Sequence, residues 1–335
     1  MSNVEDRPVE QDVCSAEAAV AAEPDLEALH PREVPLGGPR AMAVRRVLPN
    51  RDRRMVGAWC FADSYGPDDI AGRAGMRVPP HPHIGLQTVT WLIEGEVLHR
   101  DGLGSRALVR PGDLSLMTAG PGIAHSEQSP PDHSPVLHGA QLWVALPEAA
   151  RTTAPAFEFH PGADLPRLDR PGAGVTVFAG EVGGAASPAT AHSPLAGAAL
   201  DLAAGARLRL PLDPAFEYAV LVLSAALTVE GRAVPTGDML YLGRGRTGLD
   251  LSADRPAHAL LLGGEPFAED LVMWWNFVGR THDEIAEART AWERERADPP
   301  ANARFAPVTG YDGPALPAPV LPNARLKPRP RYRRH

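Results

Sequence analysis

Between residues 86 and 117 the chain alternates short apolar runs with Gly, Pro and Asp at intervals too close for helices of ordinary length. Leu86-Gln-Thr-Val-Thr-Trp-Leu-Ile93 has the β-branched and aromatic content of a strand, Glu94-Gly95 breaks it, and residues 97–100 resume it. Asp101-Gly-Leu-Gly104 turns the chain, residues 107–109 form another run, Arg110-Pro-Gly-Asp113 turns it again, and residues 114–117 follow. Turn signals this dense predict an antiparallel meander in a sandwich or barrel and argue against βαβ units. The 36 prolines and 32 glycines of the chain suit many turns and few helices.

A second meander follows residue 174, with apolar runs at 175–179, 199–202, 207–210, 218–223, 227–229, 239–242 and 258–262. Thr236-Gly-Asp238-Met-Leu-Tyr241 echoes Pro111-Gly-Asp113-Leu-Ser-Leu116, and a period this long indicates a duplicated domain. With 335 residues, each half has the material for a core of its own. The expected division is an acidic, disordered arm over 1–35, a first domain over 36–165, a second over 166–300, and a Pro-rich extension with a basic tail over 301–335. Residues 281–296 read as a helix with Thr281 as cap and Glu284 three residues on, stopped by Pro299-Pro300.

The formal net charge of −8 gives no electrostatic reason to expect direct nucleic-acid or anionic-membrane binding. The basic run at 325–335 reads as a solvated tail. No apolar run is long enough to span a bilayer, and the acidic start lacks the pattern of a secretory signal. Two cysteines, Cys14 and Cys60, are too few for a disulfide framework, and Cys60 reads as a small buried hydrophobe. A cytoplasmic location is expected.

The chemistry concentrates in His81-Pro-His83 and His125-Ser-Glu127. Both pairs have i, i+2 spacing, so on strands each presents its two groups to one face. Three imidazoles and a carboxylate suit a borderline divalent ion and leave two octahedral positions open. Pro79, Pro80 and Pro82 stiffen the first pair. An isolated H-x-H is a weak signal; its recurrence with P-G-I-A-H-S-E across one meander is a strong one.

Those segments, His81-Pro-His-Ile-Gly-Leu-Gln-Thr-Val-Thr-Trp91, Glu94-Gly-Glu-Val-Leu-His-Arg-Asp101, Arg110-Pro-Gly-Asp113 and Met117-Thr-Ala-Gly-Pro-Gly-Ile-Ala-His-Ser-Glu127, resemble the core of pirins. Leu261-Leu-Gly-Gly-Glu-Pro266 and Met273-Trp-Trp-Asn-Phe-Val-Gly279 extend the resemblance, which covers roughly residues 40–300. It implies an all-β bicupin of two antiparallel, jelly-roll-like β-barrels with a C-terminal helix. It also implies Fe(II) in the first barrel, bound by His81, His83, His125 and Glu127, and a second barrel without metal ligands. Mn, Ni, Co, Cu and Zn are alternatives for the same donor set. In the second barrel the segment 211–217 is expected to align with the first histidine pair, without its histidines, and Asp250 to fall near the place of His125. Gln87 stands where many cupins carry Glu; it can hydrogen-bond a substrate or orient a ligand but cannot act as a base.

Two activities follow from the resemblance. One is a quercetin 2,3-dioxygenase-like oxygenation of a small aromatic substrate such as a flavonol, with Glu127 as catalytic base and Met117 and Trp91 as apolar contacts if they face inward. The other is a non-catalytic, iron-dependent redox sensor that binds protein partners. An isomerase or storage cupin is a third, weaker reading. His99 is expected to line the lumen or face water, in a structural role. Trp274-Trp275 is expected to close a core, and His133 and His138 have no assigned role.

Overall fold

The computed structural model describes residues 13–14, 26–36 and 42–327. The rest of the acidic arm and the end of the basic tail lie outside the described residues.

Two large antiparallel sheets form the centre of the molecule. The first runs, in spatial order, through Ala156–His160, Leu114–Thr118, Leu86–Glu94, Val136–Ala145, Trp59–Asp69, Met42–Leu48 and Arg32–Leu36. The second repeats that order with Glu27–Leu29, Met239–Gly243, Glu217–Ser224, Ala257–Gly264, Leu195–Leu202, Ala173–Val182 and Arg167–Arg170. Each is accompanied by a four-stranded sheet: Arg77–His83, Ile123–Gln128, Val97–Asp101 and Arg106–Val109 in the first half, and Arg207–Pro211, Gly248–Ser252, Leu227–Val229 and Arg232–Val234 in the second. The duplication read from the Gly-Asp turns therefore holds strand for strand. In both turns the Asp amide donates to the carbonyl three residues back, Asp113 to Arg110 and Asp238 to Pro235. Among the described residues no sheet closes on itself. Each expected barrel is a pair of open sheets, jelly-roll fashion, because the small sheet shares no strand ladder with the large one.

The outer faces of the two large sheets pack on each other. Trp59, Val89 and Trp91 of the first half share one apolar core with Phe178, Leu221 and Leu260 of the second. Alternation along Leu86–Glu94 dictates this: Val89 and Trp91 point to the second half, so Trp91 meets the Phe178 ring at 5.0 Å. Gln87 shares that face and donates to the Thr118 hydroxyl and the Thr190 carbonyl, both at 3.0 Å. Trp91, expected to supply an apolar contact only if it faced inward, and Gln87 thus turn away from the first lumen. His138 faces the same seam, 3.2 Å from the Leu223 carbonyl.

The disordered arm expected over 1–35 is corrected at its end. Glu27–Leu29 adds an edge strand to the second large sheet and Arg32–Leu36 one to the first, with Leu29 and Val34 buried. The arm has few apolar residues of its own, but a sheet edge supplies backbone partners that composition cannot reveal.

The interior of the second half is mainly aliphatic. Its small sheet places Leu208 opposite Leu251 and Leu210 opposite Leu249, all buried. Asp250 faces solvent and pairs with Arg209 at 3.2 Å, because strand alternation turns it away from the interior. The segment equivalent to the first histidine pair is Arg207–Pro211, displaced from the 211–217 expected.

Helix His282–Glu295 starts as read, with the Thr281 hydroxyl accepting from the Glu284 amide at 3.2 Å. The Glu284 carboxylate reaches the Arg280 amide at 2.8 Å rather than closing a capping box on Thr281. Around the helix, Trp274, Trp275, Phe277, Ile285, Trp292, Phe305 and Leu326 form a further core against Ile84 and Ala124. The Pro-rich extension packs here: Leu316 donates its amide to the Pro80 carbonyl at 2.8 Å, and Arg325 pairs with Asp283 at 2.7 Å.

Candidate metal centre

The four side chains singled out in the sequence arise from two adjacent strands of the first small sheet. Arg77–His83 and Ile123–Gln128 pair antiparallel, with His125 directly opposite His81 and Ile123 opposite His83. A bulge between His125 and Glu127 shifts the register, so Glu127 lies opposite Val78. All four side chains are buried.

The ligand atoms of His81, His83 and His125 lie within 4.8 Å of one another. Nδ1 of His81 is 2.8 Å from the Pro79 carbonyl, and Nδ1 of His83 is 2.9 Å from that of Asn276. A carbonyl only accepts, so each Nδ1 must donate, and each Nε2 of a neutral ring keeps its lone pair. Nε2 of His81 is buried with no hydrogen-bond partner, and Nε2 of His83 stands 3.1 Å from Nε2 of His125. Two buried imidazole lone pairs, those of His81 and His83, thus converge with Nε2 of His125 in one cluster, and the donor set fits a metal ion.

Burial lowers the pKa of all three rings: His81 and His125 fall well below the usual histidine value, each further lowered by its neighbouring histidines, and His83 falls to about 3. The imidazoles are therefore in the neutral form that metals require.

Glu127 is oriented by the Thr90 hydroxyl, 3.0 Å from its Oε1 and 2.9 Å from Oε1 of Gln141. Burial, and then the charge of Glu127, raise the Tyr65 pKa well above its ordinary value, so the phenol stays protonated. Behind His125 lies His99, its Nδ1 3.5 Å from that of His125 and its Nε2 3.2 Å from Asp101 Oδ2. Phe157 stacks on His99 with centroids 4.3 Å apart. Met117, paired with both Thr88 and Phe157, shares this inner face.

The sequence reading did not single out Thr90, Gln141, Tyr65, Asp101 or Asn276. His99-Arg-Asp101 carries the same i, i+2 signal as the ligand pairs and could have been found by it. Asn276 contributes only a backbone carbonyl, which no residue type announces. Its segment is delivered by Phe277–Gly279: Val278 donates its amide to the Ile84 carbonyl at 3.1 Å. Gly85 lies beneath with φ +68°, where a Cβ would collide with the Val278 carbonyl oxygen.

Two facing-sheet domains, one holding a buried histidine cluster and the other filled with aliphatic side chains, define a bicupin. Residues 41–144 match the Pirin family and residues 197–298 the Pirin C-terminal cupin domain. The chain is 48% identical to a Pseudomonas aeruginosa protein named "Putative quercetin 2,3-dioxygenase", over 89% of this chain and 91% of that one. It is 38% identical to a pirin-like protein of Caulobacter vibrioides, over 76% of this chain and 88% of the relative. Among solved structures, quercetin 2,3-dioxygenase from Acinetobacter baumannii superposes with a TM-score of 0.83 at 40% identity, covering 90% of this chain and 98% of that one. The chain belongs to the pirin family.

No helix among the described residues is long and apolar enough to cross a membrane.

Proposed function

We propose that His81, His83, His125 and Glu127 hold one divalent metal ion, Fe(II) in the native protein, and that the protein oxygenates a flavonol-type substrate. The observation that carries this reading is the pair of buried Nε2 lone pairs of His81 and His83, whose rings are fixed from behind by backbone carbonyls, with Nε2 of His125 beside them. Three nitrogens and one carboxylate oxygen suit Fe(II), and the names of the relatives support the substrate class.

When bound, the metal supplies Lewis acidity and redox capacity toward dioxygen. Glu127 takes the proton of the substrate hydroxyl, with its Oε1 oriented by the Thr90 hydroxyl. The three neutral imidazoles anchor the ion. Phe157 and Met117 supply apolar surface for an aromatic ring, and burial of the surrounding strands excludes bulk water. The protein reconstituted anaerobically with Fe(II), then given quercetin and oxygen, is expected to consume the flavonol absorbance and release carbon monoxide. Turnover no faster than free metal, across Fe, Mn, Co, Ni, Cu and Zn, would contradict the reading.

A further inference from the structure

We infer that His99 and Asp101 form a relay that fixes which nitrogen of His125 faces the metal, a positioning role that rests on the metal-binding reading above. His81 and His83 each donate Nδ1–H to a backbone carbonyl, at 2.8 and 2.9 Å. At His125 the corresponding nitrogen meets another imidazole, Nδ1 of His99, at 3.5 Å. An imidazole nitrogen can donate or accept, so this contact alone leaves the His125 tautomer open.

Asp101 removes the ambiguity. Its Oδ1 accepts the amides of Leu103 and Ser105, at 2.9 and 3.0 Å, and its Oδ2 faces His99 Nε2 at 3.2 Å. A carboxylate only accepts, so in a neutral His99 ring Nε2 carries the proton and Nδ1 keeps a lone pair. Nδ1 of His125 must then donate to it. The Nε2 lone pair of His125 is left facing His83, 3.1 Å away. His99, Asp101 and His125 are 2%, 1% and 0% exposed, so water does not compete for these bonds. The Phe157 ring, within 9° of parallel to His99, holds the plane of the relay. The side chains thus do for His125 what main-chain carbonyls do for the other two rings.

Asp101→Asn tests this because the turn dictates how the amide sits. The Leu103 and Ser105 amides claim its oxygen, so its NH2 group falls opposite His99 Nε2 and forces that nitrogen to accept. His99 then presents Nδ1–H to the Nδ1–H of His125, and His125 escapes the clash by moving its proton to Nε2. Co(II) affinity, measured by competition with a chromophoric chelator, is expected to weaken about 10- to 100-fold. The visible bands of the Co(II) protein are expected to shift. The melting temperature of the metal-free protein should stay within roughly 2 °C of wild type. His99→Phe keeps the stack on Phe157 and removes both nitrogens; it is expected to weaken Co(II) and carries the test if Asp101→Asn loses its turn. Wild-type affinity and spectrum in the folded variants, with wild-type protein binding Co(II), would overturn the relay. A wild-type protein that takes up no metal would instead overturn the metal reading on which it stands.

Discussion

His83 rests on a stack of side chains that reaches away from the site. Its ring meets Trp143 edge-on at 5.1 Å, Trp143 stacks on Phe61 at 3.9 Å, and the Arg46 guanidinium lies 4.4 Å from the Phe61 centroid. Arg46 and Asp63, both buried, meet through two hydrogen bonds of 2.7 and 2.9 Å. Removing the carboxylate leaves a buried guanidinium charge without it, so Asp63→Ala is expected to cost about 3–5 kcal/mol in urea unfolding. A loss below about 1 kcal/mol would assign the pair no more weight than a surface contact. In the proposed chemistry Glu127→Gln keeps the shape and removes the base, and kcat for the flavonol is expected to fall about 10²- to 10⁴-fold. Wild-type kcat would exclude Glu127 as base. The ligand candidates were legible at this scale because the i, i+2 spacing and strand alternation together aim both pairs inward. Tyr65 and Thr90 were not, since a Tyr or Thr within a strand carries no local mark of what lies across the lumen.

At the scale of elements, the C-terminal extension acts as a clamp on the strand that bears the first histidine pair. Phe305, 1% exposed, sits 5.7 Å from Trp292 and 6.2 Å from Phe277, and Phe277 precedes the residue whose amide holds Ile84. Phe305→Ala is expected to destabilise the fold by about 3–5 kcal/mol in chemical denaturation. A change under about 1 kcal/mol would show that the extension packs without supporting the fold. The meanders and the helix were readable from turn residues, β-branched runs and the Thr281 cap. The edge strands Glu27–Leu29 and Arg32–Leu36 were hidden because their stability comes from sheets distant in sequence rather than from their own composition. The solvent-facing placement of Asp250 was missed for a related reason, since an alignment off by one position reverses the face of every residue on a strand.

Across the whole molecule, one duplicated scaffold carries two different interiors. The strand pair that carries His81, His83 and His125 in the first small sheet has as its counterpart in the second a pair that carries buried leucines, Leu208, Leu210, Leu249 and Leu251. That the buried histidine cluster lies in the first half was legible from where the histidines fall, whereas the packing of the large sheets on each other was not, because Val89 and Trp91 look like ordinary lumen residues in sequence. The buried histidines also shape the pH response of the metal-free protein. Their folded pKa values lie below the ordinary 6.5, with His83 at about 3, so below pH 6.5 the unfolded chain binds protons that the folded chain does not. Stability of the metal-free protein is thus expected to fall as the pH drops from 6.5 toward 3, and a melting temperature flat over that range would contradict the burial of neutral rings. The most direct test of the central claim is elemental analysis of protein purified without added metal, beside a His81→Ala, His83→Ala double variant. A single transition-metal ion per chain, chiefly iron, in the wild type and none in the folded variant is the result expected. Metal content equal in the two proteins, or absent from a wild type that also refuses Fe(II) on reconstitution, would contradict it.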